Sequence, residues 1–165
     1  GIDEIIYMDV VASLYERNTI TKFIKDAASK IFVPLDGSKN SIRSLETAIT
    51  LARNGSATIT GFYCINAQPH SEFRGVASVT KALNKEVEKI MENAKKLAAQ
   101  NGIVFTHKIG KGEIGYNIIK TTHGKTKYDM IVMGSRGRSN TKEIFFGSVS
   151  NYVIHTSKIP VLIVK

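Results

Sequence analysis

Cysteine is almost missing from this sequence: Cys64 is the only one in 165 residues. No internal disulfide can form, and a Cys-rich zinc site is excluded. No apolar run is long enough to span a bilayer, and the start of the chain, with Asp3 and Glu4, lacks the basic-then-apolar order of a secretory signal. The expectation is a soluble protein of a reducing, cytoplasmic compartment. Acidic residues are few, 14 against 23 basic ones, for a formal net charge of +9. That surplus attracts anions, from nucleotide phosphates to nucleic acid. The lysines are scattered, however, and lack the aromatic interleaving of a single-strand-binding surface, so solvated faces are favoured over nucleic-acid binding. His70, His107, His123 and His155 are dispersed without metal-ligand spacing, so no side-chain metal site is expected.

What is present is ordinary globular composition, 42% apolar and 22% charged, enough for one domain with a core. From residue 31 short β-branched runs alternate with helical patterns. "KIFVPLD" (30–36) predicts a buried strand, and the next segment a helix with Ile42, Leu45, Ile49 and Ala52 on one stripe and Gly55 as its stop. A strand over 57–67 follows, then a helix from about Val79 to Gln100, ended by Asn101-Gly102. "IVFTHKI" is the third strand, Glu113 to His123 a short helix, "YDMIVMG" the fourth strand, "GSVSNYVIHTS" a helix and "IPVLIVK" the last strand. Strands separated by helices imply parallel pairing through right-handed crossovers. The fold class is α/β, a doubly wound parallel sheet of Rossmann-like or flavodoxin-like type.

In such a sheet, ligands bind beyond the carboxyl ends of the strands, where the winding reverses. "MGSRGRSNTKEIFFGSVS" (133–150) starts at such an end. Gly134 closes a strand where a side chain would block close approach of a ligand, Gly137 permits a positive φ, and Gly147 opens a helix. A helix start presents unpaired N–H groups and the positive end of the helix dipole, and the hydroxyls of Ser148 and Ser150 can add hydrogen bonds. A helix merely beginning at Gly147 and Ser148 is the simpler reading. Three glycines, two hydroxyls and the basic residues Arg136, Arg138 and Lys142 on one strand-loop-helix unit favour phosphate binding instead.

The spacing Gly134-x2-Gly137-x9-Gly147-Ser148 resembles the nucleotide-binding signature of the universal stress protein family, in its ATP-binding branch. The resemblance covers about residues 30–165, with "KIFVPLDGSKNS" similar to the family's first strand and turn and "GSVSNYVIHTSKIPVLIVK" to its closing helix and strand. It implies five parallel strands in the order 3-2-1-4-5. It also implies ATP with Mg²⁺ as ligands, and a homodimer formed through the last strand. By the same resemblance Pro34 and Asp36 border the adenine and ribose, and Cys64 offers backbone contacts to the base. Met133, Gly134, Arg136 and Gly137 line the loop, and Gly147, Ser148, Val149 and Ser150 hold the phosphates through N–H and hydroxyl groups. From local sequence alone Asp36 could equally cap the helix beginning near Ser38. Cys64 reads as a small buried hydrophobe rather than a reactive thiol. Glu113 reads as a helix start, with Gly110 and Gly112 letting the preceding loop approach a ribose.

Residues 1–29 lie outside that pattern and read as an extra βα unit: "DEIIYMDVV" as a strand, then a capping box of Ser13 and Glu16 before a helix. Residues 1 to about 34 resemble the second βα unit of the cyclase subunit of imidazole glycerol phosphate synthase, a (βα)8 barrel. The two resemblances together imply a chimera, natural or engineered, and a natural amino-terminal extension is the alternative. In the barrel family Asp9 would lie near a phosphorylated substrate, but one βα unit lacks the opposed acids of the other strands, so no cyclase activity is expected. The added strand must join an edge of the sheet, swap between subunits, or displace a native strand.

The sequence therefore suggests a regulatory or sensing nucleotide-binding domain over 30–165 preceded by the unit at 1–29. No residue of the motif is an obvious base for activating water, so efficient hydrolysis is not expected. Slow ATPase activity and a non-catalytic assembly scaffold with an empty cleft remain as alternatives.

Overall fold

The computed structural model describes residues 5–8, 30–66, 76–136 and 147–165. Asp9, Ser13, Glu16, His70, Gly137, Arg138 and Lys142, each given a role or a place by the sequence, lie outside those residues. The elements in chain order are β1 (Ile5–Met8), β2 (Lys30–Pro34), α1 (Lys39–Gly55), β3 (Thr58–Ile65) and α2 (Val76–Gln100). Then come β4 (Phe105–Lys111), α3 (Ile114–Thr122), β5 (Met130–Gly134), α4 (Ser148–Thr156) and β6 (Val161–Val164). The strands form a single parallel sheet in the order β1-β6-β5-β2-β3-β4. Counted from β2, five of them have the doubly wound order 3-2-1-4-5. The chain runs from β2 to β3 and β4 on one side and returns to β5 and β6 on the other, so the winding reverses between β2 and β5.

Strand alternation divides the core between the two faces. Ile31 and Val33 of β2, Ile59 of β3, Met130 and Val132 of β5, and Leu162 and Val164 of β6 pack with apolar residues of α1 and α2. Phe32, Phe62, Ile131, Met133, Val161 and Ile163 pack on the other face with Ile118 of α3 and Val153 and Ile154 of α4. Burial on both faces is why the central strands read as unbroken apolar runs. Each large side chain so buried stabilises the fold by about 1.5–3 kcal/mol.

Local details refine the sequence expectations. The inward face of α1 is centred on Ser41, Leu45, Ala48 and Ala52. Ile42 lies about a quarter-turn round the helix from that centre and is 46% exposed. Two serines can occupy the buried face because Ser41 Oγ donates to Ser38 O (2.9 Å) and Ser44 Oγ to Ser41 O (2.8 Å). The stop of α1 falls one residue later than expected, at Ser56, which takes the left-handed conformation (φ 55) and donates its N–H to Ala52 O.

The extra strand joins an edge. β1 runs parallel to β6 with Ile5, Ile6, Tyr7 and Met8 in register with Val161, Leu162, Ile163 and Val164. The backbone edge of β6 that the resemblance gives to a second copy is therefore occupied by the chain's own β1. Among the described residues no helix is long and apolar enough to cross a membrane.

Candidate functional site

A cleft of about 450 Å³ opens at the carboxyl ends of β2 and β5, where the winding reverses. Every residue the family resemblance assigned to the ligand lines it, except Gly137, which lies outside the described residues. Pro34 and Asp36 come from the end of β2, Cys64 from β3, and Met133, Gly134 and Arg136 from the end of β5 and its loop. Gly147, Ser148, Val149 and Ser150 come from the start of α4.

At the end of β2, Leu35 donates its N–H to Phe62 O (2.7 Å), holding the turn against β3. Asp36 Oδ1 accepts from Ser38 N (2.9 Å), while Ser38 is the N-cap of α1 and its Oγ accepts from Ser41 N (3.1 Å). The choice the sequence left open is thus resolved in one respect. Ser38 caps the helix, and Asp36 shapes the turn into it from the cleft wall.

Across the cleft, the end of β5 is fixed through Ser135. Its N–H donates to Val164 O (2.9 Å), and its carbonyl accepts from Gly147 N (2.8 Å) and Ser150 Oγ (2.8 Å). Gly134 is glycine because of packing. A Cβ there would lie 2.9 Å from Cβ of Asn40 and 3.2 Å from the carbonyl carbon of Asn40 and the carbonyl oxygen of Arg136. Close approach of a ligand was the expected reason for this glycine, whereas its close neighbour is the first turn of α1. Gly147 differs. It has an ordinary extended conformation (φ −62, ψ 159), and a Cβ would approach nothing nearer than Ser135 O at 3.5 Å. Neither backbone strain nor packing of the described residues demands a glycine at that place.

Gly147 is the N-cap of α4 and brings no side chain to its free N–H groups. The first intrahelical bond runs from Asn151 N to Gly147 O (2.9 Å). The N–H groups of Ser148, Val149 and Ser150 therefore have no acceptor among the described residues. By contrast, Ser38 caps α1, and the carboxylate of Glu113 accepts from Gly115 N and Tyr116 N at the start of α3. The Ser150 hydroxyl, expected to bind phosphate, is buried and donates to Ser135 O, with Gly147 O also within reach at 3.0 Å. A hydroxyl has one proton, so this one is spent inside the protein. The Ser148 side chain, on the exposed side of the same turn, remains at the mouth of the cleft.

The floor is apolar: Phe62, Ile114, Ile118 and Met133 line it. Ile114 and Ile118 were not assigned by sequence, although their i, i+4 spacing just after Glu113 was a usable signal. An apolar floor with a few polar groups at one end suits a ligand with a flat ring and an anionic tail. Gly112 (φ +111) donates its N–H to Ile65 O (2.9 Å) and so brings the β4–α3 turn beside the end of β3. Cys64 is half-buried, with Sγ 3.6 Å from Gly112 O. Burial, and then the charge of Glu113, push its thiol above the ordinary pKa. The thiol thus stays protonated through neutral pH and is a poor nucleophile.

Among the described residues no group of three or more His, Cys, Asp and Glu could hold a metal ion. His123 is structural. Its Nε2 accepts from Lys158 N (2.9 Å), leaving Nδ1 to donate to Ile119 O (3.0 Å).

Comparison with known proteins agrees with this architecture. The chain is 34% identical to universal stress protein YxiE of Bacillus subtilis, covering 83% of this chain and 99% of that one. It is 27% identical to universal stress protein MJ0531 of Methanocaldococcus jannaschii, over 97% and 95% of the two chains. Its fold matches that of universal stress protein UspA from Lactobacillus plantarum with a TM-score of 0.76 at 18% identity, over 84% of this chain and 99% of that one. Two further structures share the fold. One is a universal stress protein in complex with cAMP (TM-score 0.64, 22% identity, 83% and 96% covered). The other, from Archaeoglobus fulgidus, is in complex with dAMP (TM-score 0.62, 19% identity, 83% and 98% covered). A weak similarity also links the chain to imidazole glycerol phosphate synthase subunit HisF of Legionella pneumophila, 26% identical over 98% of this chain and 74% of that one. The model of the universal stress protein family matches residues 28–165, and the chain belongs to that family.

Proposed function

We propose that the cleft binds an adenine nucleotide, ATP with Mg²⁺, as a regulatory or sensing event. The observation that carries this reading is the start of α4, where the N–H groups of Ser148, Val149 and Ser150 lack acceptors among the described residues at the edge of an apolar cleft. A helix start of that kind favours an anion through its N–H groups and dipole. The base would lie on the apolar floor beside the backbone of Cys64, the ribose near Pro34 and Asp36, and the phosphates against residues 147–150 and Arg136. The structural neighbours with cAMP and dAMP support an adenine nucleotide as the class of ligand. Mg²⁺ would be held by phosphate oxygens, with Asp36 as the one carboxylate among the described lining residues. Its chemistry there would be charge neutralisation of the phosphates. Cradling phosphate stabilises ground state and transition state alike, so regulation rather than turnover follows. In calorimetric titration with Mg²⁺, protein stripped of nucleotide should show saturable one-site binding of ATP; no heat at millimolar ATP would contradict the reading.

A second reading, an assembly module built on the last strand, is disfavoured by the edge of the sheet. β1 lies along β6, and residues 1–29 are proposed as an added βα unit beside the nucleotide-binding domain of 30–165, in a chimera or a natural extension. A strand held in place on its own chain closes the β6 edge to a second copy. Light scattering should therefore give the monomer mass of 18.1 kDa at all concentrations tested, with and without ATP. A dimer mass would show that β1 leaves the edge or that another face associates.

A further inference from the structure

We propose that the side chain of Ser150 has a positioning role at the phosphate end of the cleft, its hydroxyl acting through Ser135 rather than on the ligand. The inference rests on the nucleotide reading above. Ser150 is 2% exposed, and its Oγ lies 2.8 Å from Ser135 O. The same oxygen accepts from Gly147 N at 2.8 Å, and Ser135 N donates to Val164 O at 2.9 Å. One residue is thus tied through its N–H to β6 and through its carbonyl to the cap and the third residue of α4. The consequence is geometric. The end of β5 and the first turn of α4 are held together at one point, and the three N–H groups of Ser148, Val149 and Ser150 take their direction from it.

The chemistry separates this role from direct binding. For Ser150 to donate its single proton to a phosphate, it would have to release Ser135 O and turn out of a buried site. Ser148, one helical position after the cap and exposed, has no such commitment among the described residues. The hydroxyl that contacts phosphate is therefore that of Ser148, and the hydroxyl of Ser150 aims the turn. Preorganised donors bind an anion more tightly than donors that must first be ordered. Removing the Ser150 hydroxyl leaves Ser135 O still paired with Gly147 N, so the fold retains one of its two ties.

The test compares the unaltered chain with Ser150→Ala and Ser150→Thr by calorimetry against ATP and against adenosine, which lacks phosphate. Thermal melts confirm that each variant is folded. Ser150→Ala should bind ATP roughly tenfold more weakly, the equivalent of one buried hydrogen bond, and adenosine as before. Ser150→Thr, which keeps the hydroxyl, should restore ATP binding. Without nucleotide, the Gly147 amide should exchange its hydrogen faster in Ser150→Ala, because the oxygen it shares is less firmly held. Unchanged exchange at Gly147 would mean a direct ligand role and overturn the proposal. Unchanged ATP affinity in Ser150→Ala, an equal loss for adenosine, or a folded Ser150→Thr that fails to restore binding would each overturn it as well. Absence of ATP binding by the unaltered chain would overturn the nucleotide reading and this inference with it, whereas the other outcomes overturn this inference alone.

Discussion

Gly147→Val should lose ATP affinity by about 100-fold or more, the equivalent of one or two charge-assisted hydrogen bonds, while the protein keeps its fold. The asymmetry follows from the residue's surroundings. Its backbone angles suit any amino acid, and a Cβ would rest 3.5 Å from Ser135 O and 3.7 Å from Cα of Arg136, ordinary contacts. Valine is a poorer N-cap than glycine, a cost of about 1 kcal/mol, which for a domain of this size lowers the melting temperature by only about 2–4 °C. Its two methyl groups, however, stand beside the three N–H groups that await an anion. Calorimetry with ATP and a thermal melt on the same sample read both halves of the prediction. Retained ATP affinity would remove Gly147 from the phosphate site, and a large drop in melting temperature would make the glycine structural.

Phe32→Ala should have the largest effect on stability, about 3–5 kcal/mol. The side chain is fully buried in the central strand, between the rings of Phe62 (centroids 5.2 Å apart) and Tyr128 (5.0 Å, edge to face). Aromatic pairs of this geometry contribute beyond the area they bury, and alanine would leave a cavity beneath the cleft floor that neighbouring strands cannot close. A fall of about 6–20 °C in melting temperature is expected for a chain of this length, and urea unfolding should give the matching loss of free energy. ATP affinity should fall too, since Phe62 is both a neighbour of Phe32 and part of the cleft floor. A loss below about 1 kcal/mol would mean that the aromatic cluster is not the support of that face.

The alternation of strands and helices, their parallel pairing and a cleft at the strand ends were legible because apolar periodicity and glycine spacing are local signals, whereas the order 3-2-1-4-5, which sets where the winding reverses, came only with the family resemblance. "KIFVP" and "VLIV" could only be strands covered on both faces, and the Gly134-to-Ser148 segment had to lie at a strand end. What the sequence hid depended on contacts between distant residues. Nothing around Gly134 indicates that Asn40 packs on it. Ser148 and Ser150 are alike as letters, and their division into an exposed hydroxyl and a buried tie depends on where Ser135 O lies. The place of β1 was equally invisible, because a parallel pairing with β6 joins the two ends of the chain and leaves no mark on the intervening sequence. Ile42 was misplaced for a smaller reason. It fits the 3.6-residue period, but it lies at the margin of a face whose centre is set by how α1 packs across β5 and β2.

If the start of α4 holds the phosphates of an adenine nucleotide, its amides must respond when the nucleotide binds. The most direct test is an amide chemical-shift titration of the isotopically labelled protein with ATP and Mg²⁺. Saturable shifts are expected at Gly147, Ser148, Val149 and Ser150, with a second group at Asp36 and Cys64 and little change along β4. Saturable binding that left the four amides of residues 147–150 unmoved would place the nucleotide elsewhere and contradict the account.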